Sequence, residues 1–347
     1  MLSPASSPTR RRGAAIRGLG MAVPATVLAN HQLEELVATS DEWIVTRTGI
    51  RERRIARDGE TTSALAAKAA RDAIADAQLE PDEIDMILCA TCTGDYLWPA
   101  TACIVQDAIG SRRAAAFDIS AACAGFCYGV EVAAALIESG KANNIVLIGA
   151  DTLTRHVDWS DRSTCVLFGD GAAAVVLRPS EPAQGVLGSS IGADGSHHRS
   201  LFIPAGGTQS RLTPALIAAR YDKLVMRGGE VFKFAVRIMG EACLNALADA
   251  SLSADDVDLF IPHQANIRII NAAATRMGLP PEKVFCNLER YGNTSAASVP
   301  IALFEAAAMG RIKDGDIIVL VGFGAGLTWG ANVIRWERTP TSDEAVL

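Results

Sequence analysis

The chain of 347 residues carries 32 Lys and Arg against 39 Asp and Glu, a formal net charge of -7, so no global positive field marks it as a general nucleic-acid binder. An apolar share of 49% with only 5% aromatic residues suits closely packed helices on sheets and excludes a disordered or fibrous chain, and the length implies two domains or one large α/β unit. No uninterrupted apolar run approaches the roughly 20 residues of a membrane-spanning helix, so no membrane association is expected.

The N-terminal "MLSPASSPTRRRG" holds three arginines together but no apolar stretch follows them, so residues 1–13 read as a flexible leader of a cytoplasmic protein rather than a secretory signal. "RTGIRERR", residues 47 to 54, reads in isolation as a solvated basic strip. Eight cysteines lie scattered through apolar segments and are expected to be reduced. Cys89 and Cys92 form a CxxC, but no second CxxC or nearby His pair completes a zinc site, so the expected metal content is none and the two take a core or strand-end role.

In "AFDISAACAGFCYGVEVAAALIESG", residues 116 to 140, a buried strand gives way to a helix that stops at Gly140. Cys123 thereby lies near a helix N-terminus, where free N–H groups and the helix dipole are expected to lower a thiol pKa and make a nucleophile. A lone buried cysteine is ordinarily just a small hydrophobe. Ala121, Ala122, Ala124 and Gly125 around it leave room for a substrate.

The chain also repeats itself. Residues 73 to 88, "AIADAQLEPDEIDMIL", and 246 to 261, "ALADASLSADDVDLFI", share 7 identities in 16 positions at an offset of 173. The same offset aligns "NIVLIG" (144 to 149) with "IIVLVG" (317 to 322), each the pattern of a buried strand ended by Gly. Each half reads as an Ala-rich helix, an acidic turn, a buried strand, a loop, a long helix and another buried strand, which gives two halves at 14–183 and 184–347. "GAAAVVLRP" (171 to 179) and "GANVIRWER" (330 to 338) align at an offset of 159 instead, so the first half carries 14 extra residues around "TRHVDWSDRSTC". That stretch has the character of a functional loop.

Duplication lets one half serve as a control for the other. Cys123 corresponds to Ala296, Ser120 to Asn293, and His263 to Ala90. His263 follows a buried strand in "LFIPHQANIRII" with Gln264, Asn266 and Arg268 beside it, at the kind of strand end where α/β sheets build sites. A lone histidine there is more often a hydrogen-bonded core residue. Asn293 in "RYGNTSAASVPIAL" reads alone as a turn or cap residue, yet its register puts it at the twin of the Cys123 junction. "VGFGAGLTWGANVIRW", residues 321 to 336, is glycine-rich but leads into a strand, so it fits an oxyanion hole better than a dinucleotide loop.

With "TSDEWIVTRTGIRERR", "DISAACAGF", "FGDGAAAVVL", "GGEVFKFAV", "IPHQANIRI", "YGNTSAASVP" and "GFGAGLTWG" in this order over residues 14 to 338, the sequence resembles β-ketoacyl-acyl carrier protein synthase III, an initiating condensing enzyme of the thiolase-like superfamily. The resemblance implies an α/β thiolase-like duplicated five-layer α-β-α-β-α fold, a homodimer, and a triad of Cys123, His263 and Asn293. It implies acyl transfer from a short acyl-CoA to Cys123, then decarboxylating condensation with malonyl-acyl carrier protein without a cofactor, with the N–H groups of Cys123 and Ala325 as oxyanion hole. Thr39, Trp43, Arg47, Arg162, Met226, Gly228, Phe232 and Asn266 are implied coenzyme A contacts, with the adenine between Trp43 and Arg162. Gly229 departs from relatives that have a polar or charged residue there. Arg268 is the implied carrier-protein contact, and Trp98 and Phe323 the implied acyl pocket, shortened by Trp98 to suit acetyl or propionyl primers.

Rival readings are a papain-like cysteine hydrolase, opposed by the α/β repeat and the missing CGSCW-type surround, and a thiolase, opposed by a C-terminal glycine loop without cysteine. Elongating synthases use a second histidine where Asn293 stands. A related acyltransferase priming a polyketide or alkylquinolone pathway, and a non-catalytic acyl-CoA-binding scaffold, remain open at this point.

Overall fold

The computed structural model describes residues 12–337. The expected leader falls outside these residues except for Arg12 and Gly13. Arg12 donates to the carbonyls of Ile137 and Ala142 and to Asn143, and Gly13 begins the first strand.

A nine-stranded sheet forms the frame. Its strands are β1 (Gly13–Ala22), β2 (Met86–Ala90), β3 (Ala115–Ile119), β4 (Ile145–Thr152), β5 (Asp170–Ser180), β6 (Gly185–Ala193), β7 (Leu259–Pro262), β8 (Ile317–Gly324) and β9 (Thr328–Arg335). They lie in the order β7-β8-β9-β6-β1-β5-β4-β2-β3. Only Ala14 and Gly185 pair across the β1/β6 junction, so a single residue pair joins the two sets of strands there. Helices of eight residues or more are α1 (Asp41–Thr48), α2 (Thr62–Asp76), α3 (Thr101–Ile109), α4 (Gly125–Glu138), α5 (Gly228–Asp249), α6 (Ile267–Met277) and α7 (Ser298–Ala308).

Three apolar cores fix the layering. α2 and α3 cover one face of the N-terminal half-sheet through Ala66, Ala70, Ile74, Val105, Ile87 and Val146. α4 and α7 lie between the two half-sheets, with Phe126, Val130 and Leu303 against Leu88, Leu147, Ile261 and Leu320. α5 and α6 cover the far face through Phe234, Met239, Ile269 and Val319. The result is five layers, α-β-α-β-α. β4 and β8 are buried along their whole length because both faces are covered, which explains why they read as continuous apolar runs rather than alternating ones.

The repeat offset reaches into backbone detail. α4 begins at Gly125 and α7 at Ser298 (125 + 173). Gln78 and Ser251 (78 + 173) both take left-handed conformations, φ 56° and 58°. The third strand of the N-terminal half has no twin: residues 288–291, opposite β3, form a helical turn. Between β4 and β5 the chain spends 17 residues (153–169), but only 3 (325–327) between β8 and β9, which locates the 14-residue excess.

Candidate active site

Cys123 sits in a helical turn, Ala122–Ala124, between β3 and α4, and is buried. Ala122 before it is left-handed at φ 47°, and so is its twin Ser295 at φ 52°. A non-glycine residue held there costs about 1–3 kcal/mol, so both halves store strain at the same step, where strand turns sharply into helix.

β8 runs directly beneath the Cys123 turn. A Cβ on Gly322 would lie 2.8 Å from the Cys123 carbonyl oxygen, and one on Gly324 2.5 Å from the Cys123 nitrogen, so any side chain would push the turn away. Gly149 on β4 has the same relation to Ala296, with a Cβ 2.2 Å from its carbonyl oxygen. Two residues further on, the symmetry breaks. The counterpart of Gly324 is Asp151 (151 + 173 = 324), and its Oδ2 accepts from the N–H of Ala296 at 3.2 Å. Asp151 also accepts from Thr91, Thr93 and the N–H of Cys92. A carboxylate holds the turn N–H in one half, while in the other glycine stands opposite the N–H of Cys123.

His263 follows β7, and its backbone N–H donates to Val321 at 2.7 Å. Its ring packs edge-on against Phe323, centroids 5.3 Å apart, and Nδ1 lies 2.5 Å from Ser298 Oγ. Burial pushes its pKa down to about 3, so the imidazole is neutral across the physiological range. Asn293 is fastened by its backbone to the end of the long connection: its N–H donates to Leu167 at 2.8 Å and its carbonyl accepts from Gly169 at 3.0 Å. Its Oδ1 accepts from the Ser295 N–H at 2.9 Å, which leaves the amide NH2 as the end to offer a ligand.

The cysteine departs from the expectation of a lowered pKa. Burial pushes the Cys123 thiol up to about 12, against the opposing pull of a hydrogen bond from the Ser295 hydroxyl. Desolvation outweighs the helix terminus because the turn is covered by β8 and by the Ser295–Ala297 turn. The resting group is a thiol.

Two cavities meet at Cys123. One, of about 100 Å³, is lined by Cys123, His263, Asn293 and Phe323 together with Met226, Gly228, Phe232 and Asn266. The second, of about 260 Å³, shares Cys123, Phe168 and Leu201 with the first and is mainly apolar, with Leu153, Phe202, Ile203 and Leu224 beside Cys92, Ser295 and Ala325. Phe323, expected in an acyl pocket, lines the first cavity beside His263. Trp98 lines neither, being 80% exposed on a surface loop of the single chain.

At the surface, α1 presents Trp43, with the guanidinium of Arg47 4.7 Å and that of Arg162 4.5 Å from its ring centroid. Arg162 also donates to the Ala38 carbonyl, so it rests directly on the indole that was expected to take one face of an adenine. Thr39 has a buried hydroxyl without a hydrogen-bond partner. Asn266 caps α6 and donates to the Arg47 carbonyl at 3.0 Å, tying the histidine segment to α1. Arg268 is exposed, its guanidinium 5.3 Å from the Phe232 ring centroid. A Cβ on Gly229 would meet nothing within 4 Å, so the departure there leaves space.

Two expectations are corrected. Gln264, grouped with the reactive polar residues, is a buried cross-link: it donates to the Pro262 carbonyl and accepts from the N–H groups of Asn287 and Leu288. "RTGIRERR" is no solvated strip, because Arg53 is fully buried, donates to Leu28, Asn30 and Val166, and has its pKa lowered by burial to about 10. Asp151, Ser298 and the hydrogen bond of Ser295, read only as a helix-cap candidate, to Cys123 went unnoticed in the sequence. Comparing Asp151 with Gly324 and Ser298 with Gly125 at the repeat offset would have flagged two of them.

Comparison with known proteins adds the family. The model of the 3-oxoacyl-[acyl-carrier-protein] synthase III family matches residues 117–195 and that of its C-terminal region residues 247–336. A β-ketoacyl-[acyl-carrier-protein] synthase III of Symbiobacterium thermophilum is 54% identical over 327 residues, covering 94% of this chain and 99% of the relative. The chain belongs to the β-ketoacyl-acyl carrier protein synthase III family. The namesake of Roseiflexus castenholzii is 55% identical, over 93% of this chain and 98% of its own. The crystal structure of the synthase III of Aquifex aeolicus superposes with a TM-score of 0.86 at 48% identity, covering 93% of this chain and 100% of that one. Family membership makes the chain an acyltransferase of the condensing type with a thiolase fold. Among the described residues no helix is long and apolar enough to cross a membrane, and no cluster of three or more His, Cys, Asp or Glu could hold a metal.

Proposed function

We propose that the chain condenses a short acyl-CoA with malonyl-acyl carrier protein, releasing CoA and carbon dioxide and giving the β-ketoacyl-acyl carrier protein that starts fatty-acid synthesis. The observation that carries this reading is that a buried thiol, a neutral imidazole and an amide line one cavity, the imidazole neutral because it is buried. Two uncharged donors stabilise a developing enolate without adding a carboxylate that would repel it.

In the first step the Cys123 sulfur attacks the thioester carbonyl of acyl-CoA. The new C–S bond replaces the bond to CoA, whose sulfur takes the proton that Cys123 loses. The oxyanion is held by the N–H groups of Cys123 and Ala325. In the second step malonyl-carrier protein enters through the cavity of Met226, Gly228 and Phe232, the acyl chain resting among Leu153, Phe202, Ile203 and Leu224. His263 and Asn293 donate to its thioester carbonyl as the carboxylate leaves as carbon dioxide. The resulting carbanion attacks the acyl-Cys123 carbonyl and expels the sulfur, which recovers a proton. No step calls for a metal or redox cofactor.

Coenzyme A is held by Thr39, Trp43, Arg47, Arg162 and Asn266, with Arg162 lifting from Trp43 to admit the adenine. Arg268 at the mouth offers positive charge to the acidic carrier protein. The enzyme works as a cytoplasmic homodimer.

Intact-protein mass after mixing with acetyl-CoA, beside Cys123→Ala, tests the reading. An acetyl adduct absent from the variant and discharged by malonyl-carrier protein into a β-ketoacyl product supports it. An adduct that never condenses would make the chain an acyltransferase for another acceptor.

A further inference from the structure

The two halves of the molecule contain the same pair of facing positions, filled differently. In the N-terminal half these are Ala90, at the end of β2, and Gly125, at the start of α4; a Cβ on Gly125 would lie 3.0 Å from that of Ala90. In the C-terminal half the equivalents are His263 (90 + 173) and Ser298 (125 + 173), whose ring nitrogen and hydroxyl lie 2.5 Å apart. Glycine opens the helix in the first half, so the fold does not require a hydroxyl there. The hydroxyl appears only in the half that has the imidazole.

Ser298 is buried, and its Oγ also receives the N–H of Gln264 at 3.4 Å. The Gln264 N–H takes one lone pair of this oxygen, which leaves its proton free to be offered to His263 Nδ1. A neutral imidazole that accepts at Nδ1 carries its one proton on Nε2. We infer that Ser298 is a positioning residue that fixes His263 as the Nε2–H tautomer, so that the imidazole can donate to the substrate carbonyl and not accept from it. Ser298 touches neither substrate nor the Cys123 sulfur in this role and acts through His263 alone. The inference rests on the condensing reading for its consequence, but the tautomer itself is observable without turnover.

The test combines nitrogen NMR of protein labelled in its histidine rings with separate rates for acetylation of Cys123 and for condensation. The His263 signals are assigned by their loss in His263→Ala. In the wild type, Nε2 is expected to carry the proton and Nδ1 to show the shift of a hydrogen-bond acceptor. Ser298→Ala is expected to lower condensation by roughly 10–100-fold, as loss of a partner that orients a functional histidine does, while acetylation of Cys123 from acetyl-CoA stays within about 2-fold. Ser298→Thr, which keeps a hydroxyl, is expected to restore condensation. A wild-type spectrum with the proton on Nδ1 overturns the inference even where Ser298→Ala fails to fold, and so does a folded Ser298→Ala that condenses at the full rate. A wild type with the expected tautomer that condenses nothing would instead remove the proposed function and leave the tautomer assignment standing.

Discussion

Gly324 and Asp151 hold equivalent places in the two halves of the molecule and act oppositely on the turn each one faces. Asp151 accepts the N–H of Ala296 at 3.2 Å, whereas Gly324 lies against the nitrogen of Cys123 with no room for a side chain. A duplicated frame therefore supplies one turn locked by a carboxylate and one whose N–H is kept from it. The locked turn carries Asn293 and Ser295; the other carries the sulfur.

Gly324→Ala should therefore slow acetylation of Cys123 by about 100-fold or more, the usual effect of losing an oxyanion donor. The added methyl must displace the Cys123 turn, so the melting temperature is measured beside the rate. A variant that melts and acetylates like the wild type would remove the Cys123 N–H from the mechanism.

The raised pKa of Cys123 gives a pH signature. With the thiol pushed to about 12, the reactive thiolate is scarce at neutral pH and its share grows about tenfold per pH unit while pH stays below that value. Alkylation of Cys123 by iodoacetamide, followed by peptide mass, should climb from pH 7 to pH 10 without a plateau. A plateau beginning below pH 8 would mean that the helix terminus wins over burial after all.

Much of this site was legible in the sequence because duplication turns residue identity into geometry. The offset of 173 marked Cys123, His263 and Asn293 as departures within a shared frame, and they line one cavity. Burial was harder to read. Cys123 stands at a helix entry as expected, but the strand beneath it and the Ser295 turn beside it come from the other half, nearly 200 residues away, and they set its pKa. Arg53 shows the same limit: one arginine in a basic run is buried because carbonyls from residues 28 and 166 reach it, and nothing local signals that.

The Arg162 guanidinium lies 4.5 Å from the Trp43 ring centroid, so an adenine held between them, as proposed, would have to part the two. Cation–π contacts of this kind contribute about 0.5–2 kcal/mol. Trp43→Ala and Arg162→Ala should each raise KM for acetyl-CoA by roughly 3–30-fold, leaving KM for malonyl-carrier protein within about 2-fold of wild type. Equal effects on both substrates would show that the pair supports the fold of α1 rather than the nucleotide.

Tyr96, Leu97 and Trp98 are 68, 84 and 80% exposed, a contiguous apolar run at the surface, the kind of feature that marks interaction sites. The loop rises directly from Cys92 and Thr93, which line the larger cavity at Cys123. A second copy of the chain seated on this loop would cover its apolar surface and bring one subunit's Trp98 toward the other's cavity. Trp98→Asp should then shift sedimentation from dimer to monomer at micromolar concentration and lower condensation, because a buried charge at an interface centre is costly. Trp98→Ala should keep the dimer and raise the octanoyl-CoA to acetyl-CoA rate ratio by removing the bulk that closes the cavity. A dimeric Trp98→Ala with an unchanged ratio would free Trp98 of any part in primer choice, and a monomeric wild type would remove the shared pocket altogether.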